Sequence, residues 1–260
     1  SFGDYFKKEA VRYAWDLLVG DFGMDPDRLF VTVHHSDDEA AALWHDEVGV
    51  DERRIHRLGD KDNFWQMGDT GPCGPCSEVF FDLRSEAERE GQLPTTEEFV
   101  ALSDLGKVVE LWNLVFMQFD RDDSGTLHPL PAPSIDTGAG LERVASVLQG
   151  VDSNFHTDLF EPLVERVATE VGRRYDPKAP EGVSYRVLAD HARSVAFLLA
   201  DGVFPASEGR GYVLRRILRR AVRHAWLLGR REPTLVHVVD AVVTRMGSAY
   251  PQLHEGRDHL

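Results

Sequence analysis

The chain has 260 residues, of which 42% are hydrophobic and 28% charged, enough apolar material for one large domain or two ordinary ones. No apolar run reaches the roughly 18 residues of a membrane-spanning helix, which excludes that class of protein. Two cysteines exclude a disulfide scaffold and favour a reducing, cytoplasmic location. The formal net charge of −15 argues against a protein that binds polyanions over its whole surface.

The charge is nevertheless unevenly distributed along the chain. Residues 1–150 carry 13 Lys and Arg against 30 Asp and Glu, whereas residues 151–260 carry 16 against 14. Within the second half, residues 209–231 include eight arginines and no acidic residue. A basic island in an acidic protein predicts a local site at which a polyanion docks.

Hydrophobic periodicity predicts mixed structure in the first half of the chain. Ser36 and Glu39 have the spacing of a capping box, with Ser36 as the N-cap of the second helix. The predicted elements are a helix over 4–19, a strand over 28–34, a helix to residue 48, a loop over 60–77, strands over 78–83 and 108–119, an exposed polar excursion over 84–98, and a helix from about 140 to 149.

Helical periodicity dominates after residue 150, with predicted helices over 158–171, 185–200, 212–228 and 235–246. The change in pattern places a domain boundary near 150–156. We therefore predict an α+β domain over residues 1–152 and an all-helical domain over residues 153–260.

Residues 136–143 (DTGAGLER) carry the clearest chemistry. Gly138 and Gly140 allow a ligand to approach the backbone closely where a helix begins. Arg143 can offer its guanidinium fork to a phosphate, and Asp136 can pair with an ammonium group. The spacing alone fits equally well an ordinary helix N-terminus capped by Asp136 or Thr137, with Arg143 on the surface.

The segment GAGLER resembles motif 3 of the class II aminoacyl-tRNA synthetases. Six further blocks occur in the order found in the alanyl-tRNA synthetase family, which is far more specific than one motif. The blocks are SFGDYF at 1–6, DNFWQMG at 62–68, GPCGPCSE at 71–78, LWNLVFMQF at 111–119, RVLADHAR at 186–193 and GRGYVLRR at 209–216.

The resemblance implies part of an antiparallel β-sheet catalytic domain followed by an all-helical domain that recognises tRNA. It implies ATP-dependent ligation of alanine to tRNA(Ala) through alanyl-adenylate, with ATP and Mg²⁺ required. In that family motifs 1 and 2 would precede Ser1, so we expect the 260 residues alone to catalyse poorly. It also implies a homo-oligomer for the full-length protein.

The resemblance also assigns residues to the substrates. Arg143, near Gly140, would hold the γ-phosphate of ATP, and Asp136 would bind the alanine ammonium group. Gly138 would form the pocket floor, and Trp65, Asn113 and Val115 would line the pocket. Trp65 could instead be a core aromatic residue, and Asn113 a strand amide satisfied by the backbone.

An acidic residue on the strand of Asn113 often helps to place Mg²⁺ in class II enzymes, which suggests Glu110. If Glu110 shares the face of Trp112, simple strand alternation points its side chain away from Asn113.

Cys73 and Cys76 form a C-x-x-C pair, which is half of a tetrahedral zinc site. Some members of the family complete this set with two histidines, but Leu83 and Glu86 occupy those positions here. We therefore expect no zinc in these 260 residues and interpret the cysteine segment as a rigid loop.

The predicted helix over 212–228 places arginines at helical spacing, with Val213, Ile217, Leu218 and Val222 expected on its buried side. Such a stripe suits phosphate contacts along an RNA backbone, although a solvated or salt-bridged face remains open. Ser207 and Gly209 occupy positions where many relatives have an asparagine that reads a G·U pair. The predicted tRNA contacts are Ser207, Arg210, Arg215, Arg216, Arg219, Arg220 and Arg223.

His191 follows Asp190 directly, and adjacent helical side chains diverge by about 100°, so we predict no catalytic dyad there. Asp190 and Arg193 are expected to pair. Two other functions remain open: a non-catalytic, tRNA-binding relative of class II synthetases, and a stand-alone editing hydrolase.

Overall fold

The computed structural model describes residues 1–89 and 91–255. The chain divides into two compact units, Ser1–Asp152 and Ser153–Leu260. Among the helices of the described residues, none is both long enough and apolar enough to cross a bilayer.

The first unit combines helices with one sheet. Its elements are α1 (Lys7–Trp15), a π-helical turn (Asp16–Asp21), β1 (Leu29–His34), α2 (Asp38–Asp46), β2 (Ile55–Leu58), α3 (Asp60–Asn63), β3 (Phe64–Gln66), β4 (Gly71–Asp82), α4 (Glu86–Arg89), α5 (Thr96–Asp104), β5 (Val108–Arg121), β6 (Leu127–Ala139) and α6 (Leu141–Leu148).

The sheet has six strands in the order β2-β1-β4-β5-β6, with β3 paired to β4. All pairings are antiparallel except that of β1 with β2. The prediction of an α+β fold with a largely antiparallel sheet is confirmed. The parallel β1–β2 pair was not predicted, and it brings the C-terminal ends of these two strands together.

One face of the sheet is the core of this unit. Val31, Val79, Leu114, Phe116 and Ile135 alternate inward along four strands and pack in one cluster with buried residues of α1 and α2. Burial of this apolar area is the main stabilising contribution. Because side chains alternate along a strand, the opposite face presents a separate set of residues.

Lys7 of α1 is enclosed beneath this core. Its ammonium group lies 2.7 Å from Asp37 Oδ1 and 2.9 Å from Glu39 Oε2. The rings of Phe6 and Phe116 lie 5.8 and 5.3 Å from the same nitrogen. The paired carboxylates compensate the charge of this buried cation and connect α1 to the start of α2.

Gly74 marks a close approach between β4 and β5, because a Cβ atom at this position would collide with the backbone oxygen of Phe116. We expect Gly74→Ala to lower the free energy of unfolding by about 2 kcal/mol, since backbone atoms must shift to relieve the overlap. Urea unfolding followed by circular dichroism measures the change. Gly20→Ala is the matched control, because its Cβ would meet nothing within 4 Å; equal stability of the two variants would contradict the prediction.

The second unit is built from helices, and its described residues contain no strand. The helices are α7 (Glu161–Val171), α8 (Gly182–Ala200), α9 (Gly209–Leu227), α10 (Leu235–Met246) and α11 (Gln252–Glu255), after a short 3-10 turn. One apolar cluster joins α7, α8, α9 and α10 through residues such as Leu163, Leu188, Ala221 and Val242.

Several sequence-based element predictions were wrong. The predicted loop over 60–77 contains α3, β3 and the first half of β4, and β2 and most of β6 were missed. The excursion over 84–98 includes α4 and the start of α5. Asp37, not Ser36, caps α2 by accepting from the Ala40 amide at 3.0 Å, because Ser36 Oγ is engaged by the His34 ring at 2.8 Å.

Candidate active site

Strand register brings the predicted alanine-site residues together on the face opposite the core. Asn113 pairs with Gly138 and Val115 pairs with Asp136 between β5 and β6. Directly opposed residues on adjacent strands project to the same side of a sheet. Asp136, Gly138, Asn113 and Val115 therefore form one contiguous patch, which spacing alone did not establish.

This patch continues onto β4 at Glu78, which lies opposite Asn113. The Asn113 Nδ2 group donates a hydrogen bond of 2.8 Å to Glu78 Oε1. Asn113 Oδ1 is buried and has no hydrogen-bond partner among the described residues. The alternative that backbone groups satisfy the Asn113 side chain is therefore wrong, and the amide offers an open acceptor.

A β-bulge decides where Glu110 points. The β4–β5 register shifts between Val79 and Phe80, so that Val79 pairs with Trp112 and Phe80 with Glu110. Simple alternation along β5 is broken at this step. The Glu110 side chain is close enough to Glu78 to raise the pKa of that carboxyl group, so the expectation that Glu110 points away from Asn113 is wrong.

Arg143 is anchored by Glu110. Its Nη1 donates to Glu110 Oε2 at 2.9 Å and to the Glu110 carbonyl oxygen at 3.0 Å. The N-cap of α6 is Gly140, and a Cβ there would lie 3.1 Å from Arg143 Cδ. A glycine at this position thus leaves room for the arginine side chain beside the helix start. The Arg143 side chain keeps 42% of its surface exposed.

Glu78 is the site residue that sequence reasoning missed. Its pKa is raised to about 8, mainly by burial and also by the charges of Glu110 and Asp62, while the charge of Arg143 opposes the shift. Only the strand register showed that Glu78 faces Asn113 and Glu110, so no local pattern could have found it. Perturbed carboxyl groups of this kind are common at functional sites.

We expect Glu78→Gln to change how stability depends on pH. The folded pKa of Glu78 is raised from 4.5 to about 8. Below pH 4.5, the pKa of this carboxyl group in the unfolded chain, the folded and unfolded proteins both hold the proton, and the contribution of Glu78 to stability is fully present. As pH rises towards 8 only the unfolded state releases the proton, and stability is lost. Glutamine keeps the acceptor for Asn113 and does not ionise.

The variant should therefore match the original protein near about pH 5 and exceed its unfolding free energy by at least about 1.4 kcal/mol near about pH 9, the value of one pKa unit. Urea titrations at both pH values measure this. Glu97→Gln replaces an exposed glutamate of α5 and serves as the control. Equal pH dependence of the original protein and Glu78→Gln would contradict the prediction.

The remaining predicted pocket residues are described by their burial and strand pairing. Trp65 is half-buried on β3, where it pairs with Gly74 of β4. Asp136 is exposed, whereas Val115 is 4% exposed. A Cβ at Gly138 would meet no atom within 4 Å, which leaves open space above this strand.

The C-x-x-C pair lies within β4 and not in a loop. Both cysteines are buried and free. Burial raises the pKa of the Cys76 thiol to about 12, and the charge of Glu78 acts in the same direction, so this thiol stays protonated at neutral pH in the metal-free chain. Leu83 and Glu86 lie beyond the end of β4 and in α4.

The predicted arginine stripe lies on α9. A groove of about 750 Å³ is lined by His191, Tyr212 and four of the arginines: Arg216, Arg219, Arg220 and Arg223. Arg210 and Arg215 are exposed but do not line it. Among the described residues of the second unit, no ion pair joins these six arginines to a carboxylate.

Two details of α9 differ from the sequence prediction. Val213 and Val222 are 53% and 65% exposed, and the buried side is formed by Gly211, Leu214, Ala221 and Ala225. Ser207 is exposed before the helix begins, and Gly209 starts it with a φ of 59°. A left-handed residue at that point favours glycine.

The expectation that the side chains of Asp190 and His191 stay apart is wrong. His191 Nδ1 lies 3.0 Å from Asp190 Oδ2, although the two residues leave the helix about 100° apart, and His191 Nε2 lies 3.3 Å from Arg220 Nη1. The expected Asp190–Arg193 ion pair is confirmed at 3.6 Å. The His191 ring therefore connects α8 to Arg220 of α9 and can hold that guanidinium group in position.

A family model described as tRNA synthetases class II (A) matches residues 1–260. Proteins named alanine–tRNA ligase from Acidithiobacillus ferridurans and Halorhodospira halophila are each 54% identical, over 97% and 100% of this chain and over 28% and 29% of their own lengths. A protein of the same name from Chromohalobacter salexigens is 56% identical over the whole chain and 29% of its own length. The chain thus spans less than a third of these relatives.

Because this family model matches every residue, the chain belongs to the family described as tRNA synthetases class II (A).

Proposed function

We propose that the chain forms the alanine-binding and nucleotide-binding part of an alanine–tRNA ligase, together with a surface for tRNA. The observation that carries the proposal is the shared sheet face of Asp136, Gly138, Asn113 and Val115. The names of the relatives, at 54% to 56% identity, support the choice of alanine.

In the proposed reaction the alanine carboxylate attacks the α-phosphorus of ATP. A new P–O bond forms alanyl-adenylate as the bond to the β-phosphate breaks, and pyrophosphate leaves. The residues here act by holding the reactants and by compensating charge. Asp136 pairs with the alanine ammonium group, and the open Oδ1 of Asn113 accepts one of its hydrogens.

The proposed pocket selects alanine mainly by size. Val115 and Trp65 form walls, and Gly138 keeps the floor open. A methyl group gives a site little to recognise, so rejection of bulky side chains is strong whereas rejection of glycine or serine is weak.

Arg143 would bind the γ-phosphate of ATP through its guanidinium fork, next to Gly140. The Glu110 carboxylate, which is one-third exposed beside Arg143, fits a divalent cation, because hard oxygen ligands suit Mg²⁺. Glu110 would hold the ion with the phosphates, and the ion would supply neutralisation of phosphate charge.

We further propose that α9 and the loop before it contact tRNA(Ala). The arginines of the 750 Å³ groove would bind backbone phosphates, which positions an RNA without specifying its sequence. The Ser207 hydroxyl can donate or accept one hydrogen bond with the edge of a base. Arg210 lies in the first turn of α9. Location in the cytoplasm and self-association of the longer protein remain predictions.

Titration of the chain with alanyl-sulfamoyl-adenosine tests the proposal by calorimetry and thermal shift. We expect one site per chain and a rise in melting temperature. If the chain bound a tRNA(Ala) acceptor stem but not alanyl-sulfamoyl-adenosine, the non-catalytic tRNA-binding module would be favoured. The exposed arginines of α9 are compatible with that module as well. A pyrophosphate-exchange assay on the chain and on a version extended at its N-terminus tests whether the 260 residues catalyse poorly alone.

A further inference from the structure

His34, His35 and Asp60 come together outside the proposed pocket. One ligand atom from each side chain lies within 4.8 Å of the others. Parallel pairing of β1 with β2 explains this, because His34 lies opposite Leu58 and the His35 amide donates to the Leu58 carbonyl at 2.8 Å. Asp60 follows directly at the start of α3.

The two histidines face the same region although they are consecutive. On a continuing strand their rings would lie on opposite faces. β1 ends at His34, where the Asp37 amide donates to the His34 carbonyl at 2.9 Å and closes a turn. The rings consequently lie side by side, with centroids 4.2 Å apart and planes tilted by 58°.

The His34 ring is held in place before any ligand binds. Its side chain is 8% exposed. Nδ1 lies 2.8 Å from Ser36 Oγ, and Nε2 lies 2.8 Å from Asp60 Oδ1. A hydrogen bond on one ring nitrogen commonly orients the other towards a metal ion.

Asp60 supplies an oxygen ligand beside this ring. Its Oδ1 lies 2.8 Å from His34 Nε2, and its side chain keeps 82% of its surface exposed, so that it can turn towards a bound ion. An ionised carboxylate with two imidazole nitrogens is a common donor set for Zn²⁺, whose fourth position is then filled by water.

We propose that His34, His35 and Asp60 form a zinc site at the edge of the sheet, separate from the cysteine pair. Zinc bonds of about 2.0–2.2 Å bring tetrahedral ligand atoms to about 3.3 Å from one another. Rotation of the exposed His35 and Asp60 side chains around the fixed His34 ring reaches this spacing from the present separations, which are 2.8 Å between His34 Nε2 and Asp60 Oδ1 and at most 4.8 Å within the group. With zinc on Nε2, the neutral His34 ring carries its single hydrogen on Nδ1, where it can be donated to Ser36 Oγ at 2.8 Å.

Zinc at this position would cross-link the end of β1 to the start of α3. The same short helix presents Asn63, whose Nδ2 donates to Thr32 Oγ1 at 2.9 Å, and leads directly into β3 with Trp65. The His34 ring also packs edge-on against Phe64 at 5.9 Å. The ion would therefore stabilise the segment that carries Trp65.

Calorimetric titration of the chain with zinc chloride, after chelator treatment, tests the site. We expect one zinc ion per chain and a higher melting temperature when zinc is present. His35→Ala and Asp60→Asn should each weaken zinc binding by about tenfold or more. His128→Ala removes another exposed histidine that contacts an aspartate, Asp122 at 2.7 Å, and should leave the affinity unchanged.

Cobalt substitution identifies the ligands independently of affinity. The proposal predicts a spectrum of nitrogen and oxygen ligands without thiolate charge transfer. Thiolate bands would place the metal on Cys73 and Cys76 and overturn it. Absence of saturable one-to-one uptake, or equal affinity in His35→Ala, would overturn it as well, and none of these outcomes depends on ligase activity.

Discussion

Arg143→Ala is expected to reduce alanine-dependent pyrophosphate exchange at least about a hundredfold, in a version of the protein that supports exchange. The substitution removes a guanidinium fork that can donate two charge-assisted hydrogen bonds to one phosphate. It also leaves the Glu110 carboxylate, now 2.9 Å from Arg143, without its cation. The unpaired Glu110 carboxylate would then repel the triphosphate.

Exchange rates at several ATP concentrations measure the effect of this change. Arg143→Lys should give an intermediate loss, because it retains the charge and loses the planar fork. Arg53→Ala is the matched control, since Arg53 is an exposed arginine that pairs with Asp51 away from the site. Exchange by Arg143→Ala within about threefold of the original rate would contradict the assigned role.

Asp136→Asn is expected to weaken binding of alanyl-sulfamoyl-adenosine by about a hundredfold, as a hydrogen bond between charged groups contributes roughly 1.5–3 kcal/mol. The amide keeps the size of the side chain and removes the charge that pairs with the ammonium group. Because Asp136 is exposed on β6, folding should be unaffected.

Calorimetry with the analogue and with its des-amino derivative checks this prediction. The des-amino derivative should bind Asp136→Asn and the original chain with similar affinity, because it has no ammonium group. Asp120→Asn, which changes an exposed aspartate on β5, is the control. If both analogues lost affinity equally in Asp136→Asn, the ammonium contact would be wrong.

Some of the fold follows from local patterns in the chain. Apolar alternation predicted β1 and most of β5, and helical spacing predicted α7 to α10 within a few residues. Each of these elements buries a continuous apolar stripe or face, so the spacing of its own apolar residues is enough to predict it.

Other elements depend on distant partners and have weak local patterns. The first half of β6 contains three prolines, Pro129, Pro131 and Pro133. This strand lies at the edge of the sheet, where it is held by its pairing with β5. Prolines are tolerated on such edge strands. β4 begins with GPCGPC, a turn-like composition that becomes a strand only because β3 and β5 flank it.

The candidate site likewise contains residues that a local motif identifies and residues that only strand pairing brings in. Asp136 and Arg143 could be identified from one motif, because the glycines and the following helix are adjacent in sequence. Glu78 and the orientation of Glu110 could not, since both depend on the β4–β5 register and its bulge. The capping of α2 by Asp37 has a different origin, because it follows from a local hydrogen bond between His34 and Ser36, two residues apart.

The enclosed amine of Lys7 makes it a natural probe of local opening. An acylating reagent has to reach the nitrogen, which two carboxylates and two aromatic rings surround. Lys8, the next residue, keeps 52% of its side chain exposed. Labelling of Lys8 therefore follows the chemistry of the reagent, whereas labelling of Lys7 follows the rate at which α1 separates from the sheet.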